Sequence, residues 1–171
     1  MDQSLVSLLI ALVAILISFY CFYLINDIRK RQSKQGSNAE GFSTRQLQLA
    51  AYERLVMLTE RIALPNLVSR VNTAGLSAKE MQLLLLESTK QEYEYNASQQ
   101  IYVSPVAWEA VRNLKEQNML VINQVAATLP AEASSMDLNK RILEFVMTQK
   151  QGALHSIVLE ALNFEAKKVM R

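Results

Sequence analysis

The chain has 171 residues, half of them hydrophobic, with 18 Lys and Arg against 16 Asp and Glu and a net charge of +2. Residues 1–46 hold five of the basic and three of the acidic residues, whereas residues 47–171 hold thirteen of each. An electroneutral distal part argues against a nucleic-acid binder, which needs a basic face to neutralise phosphates, and a single Cys leaves no disulfide framework.

The first element is an apolar run from Leu5 to Ile25, with no charged residue between Asp2 and Asp27. As a helix it would be roughly 30 Å long, the thickness of a bilayer's hydrocarbon core. Its fourteen Leu, Ile, Val and Phe residues favour insertion. A cleaved signal peptide is the competing reading, but Met1-Asp2-Gln3-Ser4 lacks a basic leader and no A-x-A-like site follows Ile25. The run therefore predicts a retained anchor whose first partner is the lipid bilayer.

Lys and Arg stay on the cytoplasmic side of a membrane. None precedes the run, and Arg29, Lys30, Arg31 and Lys34 follow it. The predicted topology is single-pass, with the N-terminus outside and the chain from residue 29 onward in the cytoplasm. Phe19, Tyr20, Phe22 and Tyr23 cluster at the same end, where Tyr rings favour the headgroup level. Ser4, Ser7, Ala11, Ala14, Ser18 and Cys21 recur every three or four residues and fall on one stripe of the helix. In lipid such a stripe lets two backbones approach, so it is a candidate self-association face; chance alignment of common small residues is the alternative.

From Gln32 to Ser43 the composition is polar, with Gly36 and Gly41, and reads as a flexible linker. The predicted organisation is an anchor at 1–28, a basic juxtamembrane segment and linker at 29–46, and a cytoplasmic helical domain at 47–171. Leu47, Ala51, Leu55, Leu58 and Ile62 form an amphipathic stripe over Thr44 to Leu64, which Pro65 should kink or restart. A short continuation to Val71 is closed by Gly75 as a left-handed cap. Ser77-Ala78-Lys79-Glu80 fits a capping box, opening a helix to about Gln100.

Ser104-Pro105 signals another start, with the helix ending before Pro130. Along it Val111, Leu114, Asn118, Val121 and Val125 make an apolar seam with one polar member. Two last helices are predicted from Ser135 to Gln151 and from Ala153 onward. The fold class is all-α, an N-terminal transmembrane helix, a linker and a compact bundle of about five helices without internal repeats.

Catalytic equipment is sparse. His155 is the sole histidine, and no phosphate-binding glycine loop or HExxH motif is present, so the expectation is a non-enzyme with no cofactor and no metal. One stretch, Gln91 to Tyr102, is more polar than a bundle requires. On a continuous helix Glu92, Asn96 and Gln99 share one face and Tyr95, Gln99 and Tyr102 another, giving either a binding surface or a buried polar cluster that sets helix register. Asn96-Ala97-Ser98 matches a glycosylation acceptor, but a cytoplasmic, mid-helix position argues against modification.

AYERLVMLTERIALPNLVSRV (Ala51 to Val71) and QEYEYNASQQIYVSPVAWEAVRNLKEQ (Gln91 to Gln117) resemble an uncharacterised family of small single-pass membrane proteins from Bacteroidota. The resemblance implies a bacterial inner-membrane location and carries over no catalytic or binding residue. The expected function is a membrane-tethered helical interaction module, binding a protein partner or a second copy of itself. The alternative is a sensor domain that takes a small ligand between helices, lined by Tyr95, Gln99 and Tyr102.

Overall fold

A computed structural model describes residues 20, 22–27, 44–148 and 152–171. The chain divides into two compact units, Met1–Thr44 and Arg45–Arg171. In the first, residues 20 and 22–27 are helical, with Tyr20, Phe22 and Tyr23 exposed. The rest of the Leu5 to Ile25 run, the stripe Ser4, Ser7, Ala11, Ala14, Ser18 and Cys21, the basic residues Arg29, Lys30, Arg31 and Lys34, and the linker at 32–43 lie outside the described residues. Among the described residues no helix is long and apolar enough to cross a membrane.

The second unit is helical, and a single antiparallel bridge between Ser77 and Ser134 is the one extended pairing among the described residues. Its elements are α1 (residues 44–62), α2 (Leu64–Val71), α3 (Ala78–Tyr95), a 3-10 helix (Ala97–Ile101), α4 (Pro105–Ala127), α5 (Ser135–Thr148) and α6 (Gly152–Met170). The predicted five helices thus become six and a 3-10 turn, because Pro65 fully separates α1 from α2. Gly75 is left-handed as predicted, with φ of 83°, but it lies in the turn before α3 and does not cap α2, which ends at Asn72.

The break at Pro65 has a specific cost. Proline offers no N–H to the carbonyl four residues back, and a kink leaves neighbouring carbonyls short of donors. Three consecutive carbonyls before the break instead accept side chains: Asn66 Nδ2 donates to Glu60 O at 2.9 Å, Arg70 Nη2 to Arg61 O at 3.3 Å, and Asn118 Nδ2 to Ile62 O at 2.7 Å. The polar member of the α4 seam therefore pairs with backbone at the kink. Its burial, with 7% of its surface exposed, makes that bond worth keeping.

Helix α4 is the spine, roughly 35 Å long at the usual rise per residue. Its first half inserts Ala107, Val111 and Leu114 among Tyr52, Leu55, Leu58 and Ile62 of α1 and Val158 and Leu162 of α6. Its second half inserts Val121, Ile122 and Val125 among Leu64, Leu67 and Val68 of α2, Met81 and Leu85 of α3, and Leu138 and Ile142 of α5. Asn118 lies between these two apolar clusters. The Tyr52 hydroxyl accepts the Ser104 N–H at 3.2 Å, tying α1 to the start of α4. Ser104 then caps α4 by accepting from Ala107 N, with Pro105 in its first turn, as the sequence predicts.

The bundle, expected to lack internal repeats, contains one. Two helix-turn-helix units, α2 to α3 and α4 to α5, meet at their turns, where Ala78 N donates to Ala133 O and Ser135 N to Leu76 O. Each turn ends in the same cap. Ser77 Oγ accepts from Glu80 N while Glu80 Oε2 accepts from Ser77 N, and Ser134 Oγ and Asp137 Oδ2 repeat that exchange. The first of these boxes is predicted, whereas the second uses Asp in place of the usual Glu or Gln.

Candidate functional site

The predicted polar stretch does not form one helical surface. Asn96 ends α3 by turning its side chain back, with Nδ2 donating to Glu92 O at 2.8 Å, and the chain tightens into the 3-10 helix. An Asn side chain that competes for backbone in this way favours termination over continuation. The helix therefore stops at Tyr95, not near Gln100, and the two expected faces are split. Asn96 and Gln99 are buried at 6% and 9% exposure, while Tyr95 is 75% exposed and Tyr102 is also on the surface. Gln99 is thus turned inward while Tyr95 and Tyr102 are on the surface.

Glu92, Tyr95 and Asn96 instead meet α1. A groove of about 610 Å³ runs between the two helices, lined by Arg54, Met57, Leu58 and Arg61 of α1 and by Gln91, Glu92, Tyr95 and Asn96 at the end of α3. Leu58 is fully buried and forms an apolar floor, and Met57 is exposed at the rim. Arg54, Met57 and Arg61 are spaced three and four apart, so one flank of α1 presents two guanidinium groups around a thioether.

Glu92 organises the cationic side. Arg61 Nε donates to its Oε2 at 2.8 Å and Arg61 Nη2 to its Oε1 at 2.6 Å, a two-point fork. Arg70 of α2 reaches the same carboxylate, with Nη1 3.1 Å from Oε1. Hydrogen bonding and charge from Glu92 hold the Arg61 guanidinium above its ordinary pKa. Arg54 makes no ion pair among the described residues. Two guanidinium groups and one carboxylate thus line the groove; the carboxylate is already shared by Arg61 and Arg70, and Arg54 is uncommitted. Such a surface attracts an anionic group, which Arg binds through its planar fork.

His155 and the Trp108–Tyr93 pair are not among the residues lining the groove. His155 is half-buried on α6, its Nε2 3.5 Å from Glu60 Oε2. Trp108 stacks at a tilt on Tyr93, ring centroids 5.0 Å apart, and Lys115 Nζ sits 4.6 Å above the Tyr93 ring. Burial raises the Tyr93 phenol pKa, opposed mainly by Lys115. No group of His, Cys, Asp and Glu suited to a metal ion occurs among the described residues. The arginines of the groove sit on the flank of α1 adjoining its apolar stripe, and the Arg54, Met57, Arg61 spacing is their signal in the sequence.

Fold and groove together define an all-helical module with an arginine-lined, tyrosine-edged surface channel. No curated protein and no solved structure matches the chain. The chain belongs to the family of unknown function DUF7935, whose model matches residues 2–169.

Proposed function

We propose that this protein is a membrane-tethered helical interaction module. The Leu5 to Ile25 run is the single-pass anchor in a bacterial inner membrane, as in the Bacteroidota family it resembles. Arg29, Lys30, Arg31 and Lys34 keep the domain on the cytoplasmic face, where it binds a protein partner without catalysing a reaction.

The observation that carries this reading is the groove between α1 and α3. It combines Arg, Tyr and Met, three residue types enriched where proteins meet. Its excess of guanidinium groups suits an acidic segment of the partner. Arg54 supplies the free charge, Met57 the apolar contact, and Tyr95 a rigid edge.

The test is co-purification in mild detergent of the full chain, an Arg54→Glu variant and a chain lacking Leu5 to Ile25. A stoichiometric companion recovered with the native chain and lost with Arg54→Glu supports the reading. Recovery of no companion by any form, or of the same one by both native and Arg54→Glu chains, counts against it.

The volume of the groove, about 610 Å³, favours a second reading, a sensor for a small anionic ligand. Thermal stabilisation of the pure protein by small dicarboxylates, absent in Arg54→Glu, would select that alternative.

A further inference from the structure

Helix α6 carries two apolar flanks. Val158 and Leu162 are buried against α1 and α4, with Leu154, Ala166 and Val169 packed beside them. On the adjoining flank Ile157 and Phe164 are 59% and 60% exposed, with half-buried Ala161 between them. Ile157, Ala161, Phe164 and Lys168 follow a four, three, four spacing, the seam of a helix that packs against another helix. Lys168 lays its ammonium 4.4 Å above the Phe164 ring, so its aliphatic stem extends the seam.

The charges beside the seam choose the occupant. Glu160 and Lys167 flank it on the solvent side, seven residues apart and therefore on one line of the helix, and neither makes an ion pair among the described residues. If a second α6 lies antiparallel with Ala161 opposite Phe164 of the other copy, then Ile157 meets the stem of Lys168. On the flank, Glu160 meets Lys167 and Lys167 meets Glu160. A parallel pair would instead set Glu160 towards Glu165, a like-charge contact. The pattern is self-complementary in one direction only, the requirement of a two-fold interface.

We infer that the Ile157, Ala161, Phe164 face of α6 is a self-association surface, on which α6 of a second copy of this chain packs antiparallel with reciprocal Glu160 to Lys167 pairs. The seam is shorter than a standard interface, so pairing is weak in dilute solution and grows when chains are concentrated. This surface lies on a different helix from the groove, and its failure would leave the partner-binding proposal untouched.

The experiment uses the full chain in its membrane, with Cys21→Ser as background. Chains carrying Glu160→Cys are mixed with chains carrying Lys167→Cys and oxidised. The expected result is a disulfide dimer between unlike chains and little between like ones. Glu160→Lys alone should weaken pairing by about ten-fold, and the double exchange Glu160→Lys with Lys167→Glu should restore it. Phe164→Asp should abolish it, with circular dichroism confirming that the helices remain.

Dominant crosslinking of Glu160→Cys to itself would overturn the antiparallel arrangement. No crosslink between copies in any combination would overturn self-association and leave the face to another segment of the same chain or another protein. Equal pairing by native and Glu160→Lys chains would remove the charge argument on which the choice of occupant rests.

Discussion

Replacing Asn118 by Ala tests how the Pro65 break is tolerated. The substitution removes the donor that reaches Ile62 O at 2.7 Å from a residue 56 positions away. A buried amide to carbonyl bond contributes about 0.5–1.5 kcal/mol, and stranding the buried acceptor costs a further 1–3 kcal/mol or so. With a small gain from alanine's helix propensity, the net loss should be about 2–3 kcal/mol. For a domain of this size that corresponds to a fall in melting temperature of roughly 10 °C. The assay is thermal unfolding of the purified chain by circular dichroism, with Asn113→Ala as control, because Asn113 is exposed on the same helix. Asn118→Asp should cost more still, since a carboxylate oxygen would face the carbonyl oxygen. If Asn118→Ala and Asn113→Ala melt within about 2 °C of each other, the kink does not depend on this side chain and the argument fails.

Three further outcomes are expected. The Glu80 carboxyl is held below its ordinary pKa by hydrogen bonds from the Ser77 N–H and hydroxyl, and Asp137 likewise by the Ser134 hydroxyl and N–H. Because the folded values are depressed, this stabilisation is complete above the ordinary carboxylate range and is lost as pH falls through the folded values. A double Ser77→Ala, Ser134→Ala variant should therefore lose part of the native stability difference between pH 7 and pH 3; an unchanged acid limb in its melting curve would contradict that. Glu92→Gln should destabilise by about 1 kcal/mol, less in 1 M salt, because it removes a carboxylate shared by two partly exposed arginines; a denaturant titration without salt dependence would refute the ion-pair account. Gly75→Ala should cost about 1 kcal/mol from its φ of 83° alone, since a Cβ there meets nothing within 4 Å; a loss several times larger in a denaturant titration would mean that backbone strain alone does not account for the glycine.

The apolar stripe of α4, that of α1 from Ala51 to Ile62, the Ser77 box and the Ser104-Pro105 start were all legible, because each is a local pattern of spacing or capping; Leu47, predicted at the head of the α1 stripe, is instead exposed, since it precedes the first turn that α4 and α6 cover. The end of α3 was not. Asn96 closes the helix by a bond to its own backbone, and the same residue would equally suit a helix interior facing a polar core, so a local pattern could not choose. The repeat of the two turns escaped notice because it is carried by two short Ser-x-x-acid boxes with different acids and unrelated flanking residues.

What the sequence by itself determined is the all-helical class, the position of most helix starts and the break at Pro65, since these follow from periodicity, capping and the missing proline N–H. Only the tertiary structure decided which polar residues face inward and what they do there. Asn118 bonds to a carbonyl 56 residues away, Glu92 gathers arginines from α1 and α2, and Tyr95 faces solvent in the groove that Arg54 also lines. Those assignments depend on which helices become neighbours. Apolar burial drives that choice along the whole length of α4, and no window of sequence short enough to read for period or cap contains it.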